Sequence, residues 1–209
     1  MKIVIFGANG KIGRLVVAEA LRRGHSVRAF VHNHSDIADD SNLSIFKGDI
    51  YDVDSCRSAI KGCDAVVSTL GSWGTPKKDV VSTAMENIIP IIQNLKINKI
   101  VTLTGADSEA SNDKRGLAHK LSRPLLATIA GKILADGERH IKLLENSGLN
   151  WSVVRSPIMT NYGQASSFKL TEERPMPWQT INRKSVAIAM VDLLETTESE
   201  LKAPYIVRK

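Results

Sequence analysis

Cysteine is nearly absent. Cys56 and Cys63 are the only two in 209 residues, and they have no Cys-x-x-Cys spacing and no histidine cluster beside them, so neither a disulfide framework nor a metal centre is expected. They read as ordinary free thiols. Aromatic residues make up only 5% of the chain, and the basic residues are scattered, with pairs such as Arg22-Arg23 and Lys77-Lys78 as the longest clusters. The basic and aromatic platform of a nucleic-acid binder is therefore missing. No apolar run approaches the roughly 18 to 20 residues of a spanning helix. Met1-Lys2 leads directly into a strand-like run instead of a signal peptide. The expectation is a cytoplasmic protein with neither a membrane nor a nucleic-acid partner.

With 43% hydrophobic and 24% charged residues, 14 Gly and 7 Pro, the composition is that of a globular protein, and the length fits a single α/β domain. An excess of 28 Lys and Arg over 22 acids, with a pI near 9.4, favours an anionic partner. A phosphorylated small molecule needs few of those charges.

Strand-like and helix-like runs alternate along the chain. Lys2 to Phe6 is a β-branched apolar run suited to a strand buried on both faces. From Lys11 to Arg23 the apolar positions fall mostly on one helical face, and Gly24 ends the pattern. Further strands are predicted at Ser26 to Val31, Leu43 to Lys47, Ala65 to Leu70, Lys99 to Thr104, Trp151 to Arg155 and Tyr205 to Val207. Helices are predicted at about Asp52 to Ile60, Asp79 to Leu95, Lys132 to Asn146 and Lys184 to Glu195. Parallel strands need crossover connections, so this spacing predicts a doubly wound, Rossmann-like parallel sheet with helices on both faces. Two stretches lack periodicity, Asp107 to Gly116 and Asn161 to Trp178, and both follow strand carboxyl ends, where open α/β sheets bind ligands. Substrate loops are accordingly expected over about 105–131 and 156–180.

Between the first strand and first helix stands Gly7-Ala8-Asn9-Gly10-Lys11-Ile12-Gly13. Glycine at these three positions allows a sharp turn, close approach of a pyrophosphate and close packing of helix on strand. The helix N-terminus then offers unpaired N–H groups and a positive dipole end to the phosphates. After the second strand, where an acid would accept from a ribose 2′-hydroxyl, the chain reads His32-Asn33-His34, with no acid before Asp36. His32, with Lys11 and Arg14 close in sequence to the glycine loop, can face a 2′-phosphate; a solvated loop histidine fits the same pattern. NADP(H) is therefore expected over NAD(H). Asp49-Ile50 suits an adenine-flanking turn, and Leu70-Gly71 suits close passage of the cofactor.

The glycine loop, Gly48-Asp49-Ile50, Asp64-Ala65-Val66-Val67 leading to Leu70-Gly71, and Ser147 to Arg155 together resemble the atypical short-chain dehydrogenases/reductases of the NAD(P)-binding, NmrA-like group. Within it, the chain is most similar to small NAD(P)H-dependent flavin reductases of the biliverdin reductase B type. The resemblance implies that Gly7, Asn9, Gly10, Lys11, Ile12 and Gly13 hold the pyrophosphate. It also implies that His32 replaces an arginine at the 2′-phosphate, that Asp49 and Ile50 flank adenine, that Leu70 and Gly71 line the path, and that Thr104 and Pro157 lie near the nicotinamide.

The departures narrow the chemistry. Carbonyl-reducing members use Tyr-x-x-x-Lys on the helix after the fifth strand, but the corresponding positions fall near Ile133 and Gly137. The literal match Tyr205 to Lys209 lies in a terminal strand, where residues four apart are about 13 Å from each other. The serine and histidine of the biliverdin pocket are replaced by Gly105 and Ile158, which disfavours biliverdin. Pocket candidates are Trp73, Ser108, His140, Ile158, Tyr162 and Trp178. Trp73 and Trp178 can either stack on a planar ring or pack down the loops; Tyr162 reads as a substrate ligand or an exposed loop tyrosine; His140 reads as solvated. The expected activity is hydride transfer from NAD(P)H to a planar acceptor such as a flavin or quinone, a flavin being one candidate substrate. A non-catalytic NADP(H) sensor and a sugar-nucleotide epimerase or dehydratase are the rival readings.

Overall fold

The computed structural model describes residues 1–113, 117–197 and 202–209. In chain order the elements are β1 (Lys2–Phe6), α1 (Gly13–Arg22), β2 (Ser26–Val31), β3 (Leu43–Lys47), α2 (Val53–Ile60), β4 (Ala65–Ser68), α3 (Val80–Asn94), β5 (Lys99–Gly105), α4 (Leu117–Glu145), β6 (Asn150–Ser156), β7 (Ile158–Thr160), β8 (Phe168–Thr171), β9 (Thr180–Asn182), α5 (Arg183–Glu195) and β10 (Tyr205–Arg208). The main sheet runs β3-β2-β1-β4-β5-β6-β10-β8. All neighbours are parallel except β8, which closes the edge antiparallel to β10. Among the described residues no helix is long and apolar enough to cross a membrane.

Period-two alternation in β1 builds both halves of the core. Ile3 and Ile5 join Val16, Val17 and Ala20 of α1 and Val186, Met190 and Leu194 of α5 on one face. Val4 and Phe6 join α2, Met85 and Ile88 of α3, and Ile141 and Leu144 of α4 on the other. Because β2 and β3 lie to one side of β1 and β4 to the other, the strand order reverses between β1 and β4. A crevice at their carboxyl ends follows from that reversal.

The structure differs from the sequence reading in the second half of the chain. The helix expected from Lys132 begins at Leu117 and breaks at Ala130, where φ is −132° and ψ is 22°. The stretch before Lys132 was expected as loop, yet the Leu- and Ala-rich run between Leu117 and Ala130 carries the helix through Pro124. Part of the 105–131 stretch expected as loop is thus helical, and residues 114–116 lie outside the described residues. The short strands β7 and β9, three residues each, and the four-residue β8 were not expected, because such lengths carry too few positions to show alternation.

Candidate functional site

The glycine loop joins β1 to α1 at the reversal point. Gly7 has φ of +75°, and a β-carbon there would meet Thr69 Oγ1 at 3.0 Å and Leu70 N at 3.1 Å, so the loops after β1 and β4 touch. Thr69 closes that contact by donating from its N–H to Phe6 O (3.0 Å) and from Oγ1 to Gly7 O (3.1 Å). At Gly13 a β-carbon would lie 2.1 Å from Gly7 O and 2.8 Å from Ala8, which is the close helix-on-strand packing the motif requires. Gly10 is different: it is exposed, and a β-carbon meets only Gly7 O, at 3.1 Å. Helix α1 starts with no side-chain cap and no acid in its first turn. The Arg14 N–H donates to Gly10 O (3.0 Å), and no side chain competes with an anion for the positive end of the helix dipole. A pyrophosphate fits this cradle.

On the β2–β3 side of the glycine loop, Lys11 and His32 are exposed. Asp49 accepts through Oδ1 from Tyr51 N (3.0 Å), and the Ile50 carbonyl accepts from Asn87 Nδ2 (2.7 Å), so side chains fix the turn after β3. Gly48 serves packing, because a β-carbon there would meet Ser55 Oγ at 2.1 Å and the Phe30 ring at 2.7 Å. Both cysteines are buried and free, and burial, aided by nearby Asp52 and Asp49, pushes the Cys56 thiol up to about 11.

Toward the other end, Leu70 and Gly71 follow β4, and Thr104 and Pro157 stand at adjacent strand ends, with Thr104 paired to Arg155 and Gly105 to Ser156. Ser108 is 3% exposed and shares a 3.1 Å hydrogen bond with Thr104 Oγ1. Opposite this pair lies Gly137. A β-carbon there would be 2.1 Å from Ser108 Oγ and 2.7 Å from Thr104 Oγ1, so the position aligned with the proton-transfer lysine is sterically closed. Tyr205 is no substitute: it is 1% exposed, lies 3.7 Å beneath the Arg155 guanidinium, accepts from Arg174 Nε (2.8 Å) and donates to Asp113 Oδ2 (3.1 Å). Arg155 in turn pairs with Asp113. A cavity of about 880 Å³ adjoins this network, lined among others by Trp151, Glu145, Arg174 and Lys202. It shares no residue with the glycine loop.

His140 corrects the sequence reading. It is fully buried, with Nε2 2.8 Å from Thr102 Oγ1, because α4 turns a wider face onto β5 than its apolar residues alone indicated. Burial lowers its pKa to about 4 from the ordinary 6.5, against the opposing pull of the Asp136 carboxylate and the Gly137 backbone. The unfolded chain thus takes up this proton near pH 6.5, while the folded chain resists it down to about pH 4, so stability falls as pH drops through that window. Between pH 7 and pH 5 the loss through this one group comes to about 2 kcal/mol. Urea unfolding of wild type and His140→Gln at both pH values should show the wild type losing that much more than the variant.

The aromatic candidates are not packed down. Trp73 is 72% exposed, Trp178 74%, Tyr162 85% and Ile158 62%. Ile158 opens β7 directly after Pro157 and pairs with Thr180 of β9, which brings the Trp178 segment alongside it. The loop carrying Tyr162 is pinned through its backbone, since Asn182 Nδ2 donates to the carbonyls of Tyr162 (3.2 Å) and Gly163 (2.8 Å). Asn182 and Asp136 organise this end of the molecule, Asp36 pairs with Arg14 beside the glycine loop, and all three escaped the sequence reading. Asn182 was legible as an N-cap before Arg183, but Asp136 and Asp36 act across tertiary contacts that no local pattern signals.

Comparison with known proteins places these features. The chain is 42% identical over 81 residues to an isoflavone reductase homolog, IRL, of Zea mays, covering 34% of this chain and 26% of that protein, so it spans about a quarter of that relative's length. Two Bacillus subtilis (strain 168) proteins match more of it. YwnB is 28% identical over 156 residues, 73% of this chain and 70% of its own; YhfK, named a sugar epimerase, is 25% identical over 211 residues, 97% and 92%. Among solved structures, SP1627 of Streptococcus pneumoniae TIGR4, described as a candidate NADH-flavin reductase, superposes with a TM-score of 0.81 at 22% identity over 100% of both chains. ChuY, an anaerobilin reductase of Escherichia coli O157:H7, gives 0.79 at 18% identity, over 100% of this chain and 97% of its own. A short-chain dehydrogenase/reductase of Veillonella parvula DSM 2008 in complex with NADP gives 0.77 at 15%, over 99% and 94%. A family model described as NAD(P)H-binding matches residues 7–197, and the chain belongs to that NAD(P)H-binding family.

Proposed function

We propose that this protein is an NAD(P)H-dependent reductase that delivers hydride to a planar acceptor such as a flavin or quinone, with NADP(H) preferred over NAD(H). The observation that carries this reading is the character of the acceptor side. Beyond the glycine cradle stand exposed flat or apolar side chains, Trp73, Ile158 and Trp178, with the lysine position at Gly137 closed. The glycine loop and the N-terminus of α1 would hold the pyrophosphate, His32 would face the 2′-phosphate, Asp49 and Ile50 would flank adenine, and Leu70, Gly71, Thr104 and Pro157 would border the nicotinamide. The bound cofactor supplies a hydride. A flavin or quinone accepts it at a ring position and takes its proton from water, so the chain needs no acid of its own. What the chain contributes is the alignment of two flat rings, and orientation alone can supply much of a rate. The reductase names of SP1627 and ChuY agree with this reading.

Steady-state oxidation of NADPH and NADH with a panel of flavins, quinones, simple ketones and a sugar nucleotide tests it. Flavins and quinones should turn over and simple ketones should not, with NADPH the better donor. Tyr162→Phe should lower kcat/KM by less than about tenfold, whereas loss of a general acid costs roughly 10² to 10⁴. Tight cofactor binding with no turnover of any acceptor would support a sensor instead.

A further inference from the structure

The loop after β2 turns back onto the glycine loop. Asn9 Nδ2 donates to His34 O (3.2 Å), and Asp36 N donates to Asn9 Oδ1 (3.3 Å). This fold-back sets the Asp36 carboxylate 2.7 Å from Arg14 Nη2, with His34 Nε2 at 3.8 Å. Arg14, in the first turn of α1, is held from its other side as well, because its Nε donates to Asn9 O (2.9 Å). An acid absent from the usual position at the end of β2 is thus returned in space, five residues after Val31, among the cations assigned to the 2′-phosphate.

We infer that Asp36 sets the ceiling on the preference for NADP(H): it occupies Arg14 and places a negative charge where a ribose 2′-phosphate would need a free guanidinium. This inference rests on the dinucleotide reading above. A 2′-phosphate meets both a neutralised Arg14 and the repulsion of the carboxylate, whereas a 2′-hydroxyl meets neither penalty, being uncharged and able to donate to an acid. The pair is half exposed on both sides, at 44% and 54%, so it contributes little to folding and can be broken without loss of the native state.

The experiment measures binding of adenosine 2′,5′-bisphosphate and adenosine 5′-monophosphate to the full chain by calorimetric titration, for wild type, Asp36→Asn, Arg14→Gln and the double variant, after matching their melting curves. Asp36→Asn should tighten the bisphosphate by about fivefold, the scale of freeing one surface-paired guanidinium. It should leave the monophosphate within about twofold, and the gain should shrink when Arg14 is also replaced, to the part that relief of carboxylate repulsion supplies alone. An unchanged ratio of the two nucleotides, an equal gain for both, or a gain undiminished by Arg14→Gln would overturn the role of Asp36 while leaving the dinucleotide site standing. If wild type binds neither nucleotide, the functional reading itself fails.

Discussion

Gly10→Val should abolish dinucleotide binding and leave the protein folded. The three glycines of the loop carry separable burdens. Gly7 adopts a left-handed φ of +75° against the loop after β4, and Gly13 has backbone 2.1 Å from where a β-carbon would sit, so branched side chains at either position strike the protein itself. At the exposed Gly10 the single contact is a carbonyl oxygen at 3.1 Å, which a shift of a few tenths of an ångström relieves. The valine methyls then stand in the space that the phosphates need before the open end of α1. Losing that approach forfeits several charge-assisted hydrogen bonds, which at about 1.4 kcal/mol per decade weakens binding by more than about a hundredfold. Calorimetric titration with NADPH, beside a thermal melt, reads both halves of the expectation. A folded Gly10→Val that binds like wild type removes the foundation of the site, while Gly13→Val should fail at the melt.

That contrast also marks how far the sequence could be read. The glycine spacing, the apolar run before it and the amphipathic run after it are local features, so β1, the loop and α1 stand where the residues alone put them. The same holds for β2 through β5, whose four to seven residues carry enough alternation or β-branching to declare themselves. Elements set by tertiary contact behave differently. Strands β7 and β9 have three residues each and exist because they pair with one another.

In the proposed site, the legible residues are those that would meet the ligand through backbone or through a fixed place after a strand: Gly7, Gly10, Gly13, Leu70, Gly71, Thr104 and Pro157. Side chains that act at long sequence separation were not legible. Asp36 reaches Arg14 across 22 positions, His140 reaches Thr102 across 38, and Asp136 reaches Ser72 across 64. Gly137 spans both cases. Its identity excluded lysine chemistry from the sequence alone, but the reason for glycine, the hydroxyls of Ser108 and Thr104 against its α-carbon, needs three dimensions.

Asp136→Ala should be among the most destabilising single substitutions in the chain. Helix α3 begins after Asp79, whose side chain caps none of the helix N–H groups. The acceptor comes from α4 instead. Asp136, 5% exposed, takes Val81 N on Oδ2 (3.1 Å) and Ser82 N on Oδ1 (2.8 Å), the two amides that an N-cap side chain would ordinarily serve. Its Oδ2 also accepts from Ser72 Oγ at 2.5 Å. One buried carboxylate therefore ties together α4, the start of α3 and the loop that carries Leu70, Gly71 and Trp73. Alanine leaves three buried donors without an acceptor at about 1 to 3 kcal/mol each, for a total of about 4 kcal/mol after partial relaxation. Asp136→Asn retains one acceptor oxygen and should lose about half of that. Ser72→Ala, which removes a donor and leaves the carboxylate on two amides, should lose about 1 kcal/mol or less. Adding Ser72→Ala to Asp136→Ala should cost nothing further, since the hydroxyl it removes is already without its partner. Urea unfolding at pH 7 measures the set. A loss below about 1 kcal/mol for Asp136→Ala would mean that the three donors find other acceptors when the carboxylate is gone, and that the loop beside the cradle is held by something other than α4.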